Sequence, residues 1–298
     1  MRALIEIKKC PVCNGTGFKS FIECEDYLVT HSKFTLQKCA ACGFTLTNPQ
    51  PSPADIGIYY ESENYISHTG GKKSLFDRAY TFVRSKMLKT KRILIEKNST
   101  GRTILDIGCG TGDFLNEMKK NGWASVGVEP SATARQKAQE KDLRIIENIE
   151  GLDNTQYDIV TLWHVLEHLH SPDAQLKKIH QLLKNTGKLI VALPNLESYD
   201  ANYYQAYWAG YDVPRHLWHF NKSTIRKILE ANGFQLLQIA PMKFDSFYVS
   251  LLSESYKNPN RNKLYQAICA LLQGIKSNWK ASRSMNYSSH IYIATKCE

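Results

Sequence analysis

The sequence predicts an α/β fold behind a small cysteine-rich module, and three observations carry that reading. Two Cys-x-x-Cys pairs stand near the start, Cys10/Cys13 and Cys39/Cys42, with 25 residues between them. The stretch Arg102–Phe114 runs from an apolar strand pattern into a glycine turn and then a helical pattern. Beyond it, short apolar runs alternate with amphipathic helical stretches, which is how a parallel sheet covered by helices reads.

A chain of 298 residues and 34.0 kDa holds two domains, or one α/β domain with an appendage, at roughly 100–200 residues each. Apolar residues at 43% and charged residues at 22% exclude wholesale disorder. No apolar run approaches the roughly 18 residues of a membrane span. The start, MRALIEIKKCPVC, lacks a long apolar export segment, so a cytoplasmic location is expected. The 38 basic and 28 acidic residues give a net charge of +10, which favours anionic partners, although a merely basic enzyme surface fits equally. Only Lys86–Lys97 is locally dense in charge, and its helical spacing suggests a solvated helix face.

Disulfides are not expected where no export signal is seen. Two Cys-x-x-Cys turns, each pointing two thiolates the same way, suit a tetrahedral Zn2+ held by Cys10, Cys13, Cys39 and Cys42. Pro11, Asn14-Gly15 and Gly43 supply the tight turns. A redox site would need one such pair at a strand-to-helix junction, not two on short loops. About 50 residues bury little core alone, so a metal would supply much of the folding free energy. The run Asn48-Pro-Gln-Pro-Ser-Pro53 then reads as a stiff linker. The expected division is a metal-binding module at 1–50, a linker and helical cap at 51–100, and an α/β domain at 101–298.

Within the cap, Leu75, Phe76, Tyr80, Val83, Met87 and Leu88 recur at helical spacing and predict a helix over 74–97. The strand that follows ends in Gly108, Gly110 and Gly112. A dinucleotide fingerprint would place its third glycine where Asp113 stands. Asp106, two residues before the first glycine, is unhelpful to a pyrophosphate but welcome to a ligand carrying an ammonium group. The next strand ends in Glu129, 21 residues after Gly108, where a carboxylate can accept from two ribose hydroxyls.

These pieces (DIGCGTGDF, VGVEPS, QYDIVTLWHVLEHLHSP and GKLIVALPN, in that order over about 101–240) resemble the class I S-adenosylmethionine-dependent methyltransferases. The kind resembled is the group that includes ubiquinone-biosynthesis methyltransferases. The resemblance implies a Rossmann-like, seven-stranded sheet ending in an antiparallel hairpin. It implies that Asp106, Gly108, Cys109, Gly110 and Gly112 hold the methionine part of S-adenosyl-L-methionine and Glu129 the ribose. Asn148 and Ile149 would meet the adenine, and Trp163 and His164 would lie beside the methionine. The other elements fit: helices at 131–141, 172–184 and 224–231, strands at 143–147, 157–163, 188–193, 234–240 and 290–295. The insertion 243–287 is long for a connection and is expected to be a lid or partner surface.

The segment Tyr199–Phe220 follows the fifth strand, where the substrate approaches in such a sheet. It holds five tyrosines, two tryptophans, Arg215, His216 and His219, a composition that suits a flat or hydrophobic acceptor. His216 is the first candidate general base and His219 the second, against the alternative that both merely bond backbone. Arg215 is either a clamp for an anionic acceptor or a structural ion pair. His164-Val-Leu-Glu-His168 matches an inverted zinc-protease pattern, but its place just after the fourth strand rejects that reading. The same stretch resembles the cation-binding region of ubiquinone-biosynthesis O-methyltransferases, with His164 where those have an acid.

The expected function is methyl transfer to a small biosynthetic molecule, most simply at oxygen. One alternative is an RNA methyltransferase that uses the metal module to grip RNA. It is disfavoured because only Lys19, Lys33 and Lys38 lie between the knuckles. The other is a non-enzymatic, cofactor-binding scaffold. Nothing in the sequence sets the oligomeric state.

Overall fold

A computed structural model describes residues 3–61, 75–153 and 155–297. An N-terminal ribbon is built from β1 (Leu4–Ile5), β2 (Phe18–Glu25), β3 (Lys33–Cys39), β4 (Thr45–Thr47) and β5 (Gln50–Pro51). Helix α1 (Leu75–Asn98) leads into β6 (Thr103–Ile107), α2 (Asp113–Lys120), β7 (Ala124–Val128), α3 (Ala132–Gln139), β8 (Arg144–Ile146) and β9 (Tyr157–Trp163). Then come α4 (Pro172–Leu182), β10 (Leu183–Pro194), α5 (Tyr199–Tyr204), β11 (Trp218–His219), α6 (Lys222–Ala231) and β12 (Phe234–Pro241). The chain closes with α7 (Asp245–Lys257), α8 (Lys263–Ser284) and β13 (Ser289–Lys296). The side chains of Leu75, Phe76 and Tyr80, which set the expected period of α1, lie outside the described residues.

The main sheet has seven strands in the order β12-β13-β10-β9-β6-β7-β8. β13 alone runs against its neighbours, paired Ile190↔Ile293 with β10 and Leu236↔Ala294 with β12. Strand residues buried on both faces need apolar side chains at every position. Accordingly Leu105, Val160, Leu162 and Val191 pack on one face, and Ile104, Ile159 and Ile190 on the other. The apolar runs of the sequence are legible for that reason.

The ribbon does not stand apart. Its sheet has the order β11-β4-β3-β2, so one strand is lent from beyond residue 200. Trp218 pairs with Leu46 and His219 with Thr45. Cys10, Cys39, Phe44 and Leu46 belong to the same buried cluster as the β9 and β10 side chains. The expected boundary at residue 50 is therefore no break in packing. Nor is 48–53 a free linker: β5 pairs with β1, and the buried Gln50 donates its Nε2 to the Leu217 carbonyl at 3.0 Å.

Candidate functional site

The glycine turn lies between β6 and α2. Gly108 and Gly112 have φ of 69° and 73°, in the left-handed region that side chains avoid. A Cβ on Gly108 would also meet Val165 at 2.5 Å, and one on Gly112 would meet Leu143 at 2.6 Å. Glu129, at the end of β7, accepts from the Gly110 amide at 2.8 Å and from the Ser131 amide at 2.9 Å. It thereby ties the turn to the next strand. The buried Asp106 accepts from Thr161 Oγ1 at 2.6 Å. Burial, with Glu129 nearby, pushes the Asp106 carboxyl up to about 7, against the pull of Thr161 and Lys91. Cys109 is buried in the turn, and burial raises its thiol.

The N terminus of α2 is already neutralised. Asp113 opens the helix and accepts from Thr111 Oγ1 at 2.8 Å and Lys141 Nζ at 2.8 Å, and it also pairs with Arg84. An acid at that position occupies the dipole end that a pyrophosphate would need. Two buried carboxylates within Coulombic reach of each other suit a cationic, hydroxyl-bearing ligand. The donor set therefore fits an adenosyl amino acid. Asn148 is exposed and caps the turn at Ile149–Gly151, accepting from the Gly151 amide at 3.0 Å, while Ile149 is buried.

At the end of β9, the Trp163 ring meets Phe114 edge-on at 5.4 Å. Lys91 Nζ lies 4.1 Å from the Trp163 ring centre. So Lys91 turns inward from the basic stretch of α1 that reads as a solvated face. Its charge faces Asp106 and Asp245, and desolvation lowers its pKa. His164 Nε2 lies 3.1 Å from Asp245 Oδ2, and its Nδ1 lies 3.4 Å from Glu167 Oε1. Burial works against the imidazolium, but the two carboxylates outweigh it and lift His164 to about 9. Asp245 comes from the 243–287 insertion, 81 residues away, and no local pattern announces it.

Behind His164, the ligand atoms of Glu167, His168 and His216 all lie within 4.8 Å of one another. Apart from its ion pair with His164, the buried Glu167 carboxylate accepts no hydrogen bond. His216 Nδ1 is 2.9 Å from the Gly210 carbonyl, which fixes that nitrogen as the N–H donor. His168 bonds the Arg215 carbonyl and Tyr60, and burial beside His216 pushes it down to about 4. His219 is tied elsewhere: its Nε2 lies 3.0 Å from Thr47 Oγ1 of the ribbon, and burial holds it well below the usual histidine range.

One open alternative is decided here and one expectation changes. Arg215 is 1% exposed and bonds Asp212, Asp26 of the ribbon and the Tyr59 carbonyl. It is the structural ion pair, not an open clamp. The aromatics of 199–220 mostly fill a third core, with Tyr204, Trp208 and Tyr211 buried among Phe34, Leu36 and Tyr59. Only Tyr203 and Tyr207 keep large exposed faces. A small cavity beside His216 is lined by Pro194, Leu196, Trp208 and Phe220. It does not extend to Asp106 or Glu129, whose end of the site is marked by its charges.

In the ribbon, the four thiols form a cage. Cys10 Sγ lies 3.6 Å from Cys42 Sγ, and Cys13 Sγ 3.5 Å from Cys39 Sγ. All four sulfurs fall within 4.8 Å of one another. Thiolates at about 2.3 Å from a shared tetrahedral centre would stand about 3.8 Å apart, so the cage fits zinc. Backbone amides of each turn, Val12 and Cys13 on one side and Ala41 and Cys42 on the other, point at Cys10 and Cys39.

A family model described as a methyltransferase domain matches residues 78–239. A ubiquinone biosynthesis O-methyltransferase from Coxiella burnetii is 28% identical over 160 residues, covering 48% of this chain and 68% of the relative. Its mitochondrial counterpart from Rattus norvegicus is 27% identical over 194 residues, covering 58% and 56%. Among solved structures, magnesium protoporphyrin IX methyltransferase from Synechocystis, with S-adenosylhomocysteine bound, superposes with a TM-score of 0.50 at 16% identity. That match covers 80% of this chain and 96% of the other. At that identity the likeness shows the fold.

Proposed function

Because the chain belongs to the methyltransferase-domain family, of class I type, we propose that it methylates an oxygen of a small molecule. The methyl donor is S-adenosylmethionine, and a zinc ion holds the ribbon. The observation that carries the donor is the pair Asp106 and Glu129 under a glycine turn whose helix end Asp113 already neutralises. The cofactor supplies a methyl group already activated on a sulfonium. The protein's work is then placement, exclusion of water and removal of one proton.

Asp106 takes the ammonium of the amino-acid end, and Lys91 offsets that end's carboxylate. Glu129, fixed by two amides, keeps lone pairs for the ribose hydroxyls. Gly108, Cys109, Gly110 and Gly112 shape the turn, Asn148 and Ile149 border the adenine, and Trp163 and His164 close the methionine end. His216 accepts the acceptor's proton at Nε2, since its Nδ1 is spent on Gly210. The buried Glu167 carboxylate, also paired with His164, stabilises the imidazolium so formed. His219 positions the site by binding the ribbon.

The relatives named as O-methyltransferases support oxygen as the target. The ribbon's lysines support a small molecule over RNA, because Lys33 pairs with Glu23 at 2.9 Å and Lys38 sits over Phe21 at 3.7 Å. Reduced thiols in a zinc cage fit a cytoplasmic location.

The test incubates the protein and methyl-labelled cofactor with cell extract. Label in the small-molecule or lipid fraction is expected; label in RNA or protein, or none, overturns the reading. In calorimetry, Glu129→Ala is expected to weaken S-adenosylhomocysteine binding at least about tenfold. Unchanged affinity removes Glu129 from the ribose.

A further inference from the structure

The α7–α8 hairpin is turned inside out. A helix of a globular protein normally buries its apolar stripe and wets its polar one. Helix α8 buries Gln266, Ala270, Gln273, Gly274, Ser277 and Ala281. Its outward stripe carries Leu264, Ile268, Leu271, Leu272, Ile275 and Trp279, each 50–71% exposed. At about 100° per residue these six fall within about 100° of the helix circumference, a continuous band from Leu264 to Trp279 of the 22-residue helix. Helix α7 follows suit: it buries Asp245, Ser246, Ser250, Ser253 and Glu254 and leaves Tyr248 52% exposed.

This orientation is locked by polar contacts to the body. Ser277 donates to Asp200 at 2.7 Å, Tyr204 to Glu254 at 3.0 Å, and the Ala209 amide to Ser253 at 2.9 Å. Where the two helices meet, a Cβ on Gly274 would stand 2.5 Å from Phe247.

The surface charge of the hairpin itself has one sign. Residues 243–287 hold seven Lys or Arg and two acids, and both acids, Asp245 and Glu254, are buried. Several cations sit at the rim over aromatic rings: Lys257 over Tyr203 at 4.5 Å, Lys280 over Tyr199 at 4.1 Å and Arg283 over Trp279 at 4.8 Å. A second copy would bring this cationic rim against itself, with no surface acid of the hairpin to answer it. An apolar band with Trp and an all-basic border instead matches an anionic lipid surface. No helix among the described residues is long and apolar enough to cross a membrane, so the contact is with the surface.

We propose that the outer face of the α7–α8 hairpin docks this protein onto an anionic membrane surface, with α8 lying in the interface. The test is flotation of the full chain with phosphatidylcholine vesicles, with and without about one third phosphatidylglycerol. Flotation is expected with the anionic vesicles only, weakening as salt rises. Ile275→Glu with Trp279→Glu is expected to abolish it. Lys276→Glu with Lys280→Glu is expected to lower vesicle affinity at least about tenfold. All four side chains are exposed, and unchanged melting temperatures confirm that the variants fold. Failure to float with anionic vesicles, or flotation indifferent to the first pair, overturns the proposal. A dimer broken by Ile275→Glu, without vesicle binding, would assign the face to a second copy instead.

Discussion

Asp106 is a carboxylate kept out of water with its strongest hydrogen bond from a single hydroxyl. A carboxyl raised from its usual value to about 7 destabilises the ligand-free fold once ionised, by on the order of 4 kcal/mol. The sign follows from the direction of the shift. The neutral form is favoured in the fold, so its contribution is complete below the unfolded value and is lost as pH rises through about 7. Asp106→Asn keeps the Thr161 contact without the charge. At pH 8 it is expected to raise the ligand-free melting temperature by roughly 2–6 °C, a gain that shrinks towards pH 4. The same variant is expected to lose cofactor affinity. Melting curves and calorimetry check the two halves, and a fall in melting temperature at pH 8 would refute the account. Asp106 and Glu129 were legible because their distances from the glycines are fixed by strand and turn geometry. Lys91 and Asp245 were not, because each meets its partners only after distant elements pack. Arg215 was undecided for the same reason: its partner Asp26 lies 189 residues away.

At the scale of elements, the cysteine spacing specified the cage, since a Cys-x-x-Cys turn fixes where both sulfurs point. The spacing said nothing of β11, a two-residue strand completed from the far end of the chain. That strand ties the ribbon to the histidine segment: His219 and Thr47 join ribbon to strand, and Thr47 Oγ1 also donates to the His216 carbonyl at 2.7 Å. Removing zinc with a chelator is therefore expected to do more than expose residues 10–42 to protease. It should lower methyl transfer several-fold while leaving S-adenosylhomocysteine affinity nearly unchanged, because the glycine turn is held by Glu129 and packed against Val165 and Leu143 of the main domain. Equal losses in binding and turnover would refute the coupling. The aromatic density of 199–220 misled because composition does not separate a ring that lines a site from a ring that fills a core. Tyr211, Trp208 and Phe34 do the latter.

For the whole molecule, the apolar runs mark the individual strands, because a doubly covered sheet leaves few polar positions, while the seven-stranded sheet with its closing antiparallel hairpin is implied by the family resemblance and is the sheet observed. The insertion 243–287 reads in the sequence only as a lid or partner surface; the outward stripe of α8 has the same helical period as a buried one, so its spacing alone does not say which side faces the body. Only the buried serines and glutamines decide that.

The borrowed strand β11 has one more consequence. A protein cut at residue 50 would not be a smaller enzyme. Its Trp218 and Phe220, which now rest 6.0 Å and 5.5 Å from the Phe44 ring, would be stripped bare beside an orphaned backbone edge. Such an amputated chain is expected to clump on expression, and light scattering on a 51–298 fragment would reveal it. The cysteine ribbon is thus less an ornament in front of the main sheet than the wall against which the segment around β11 is built.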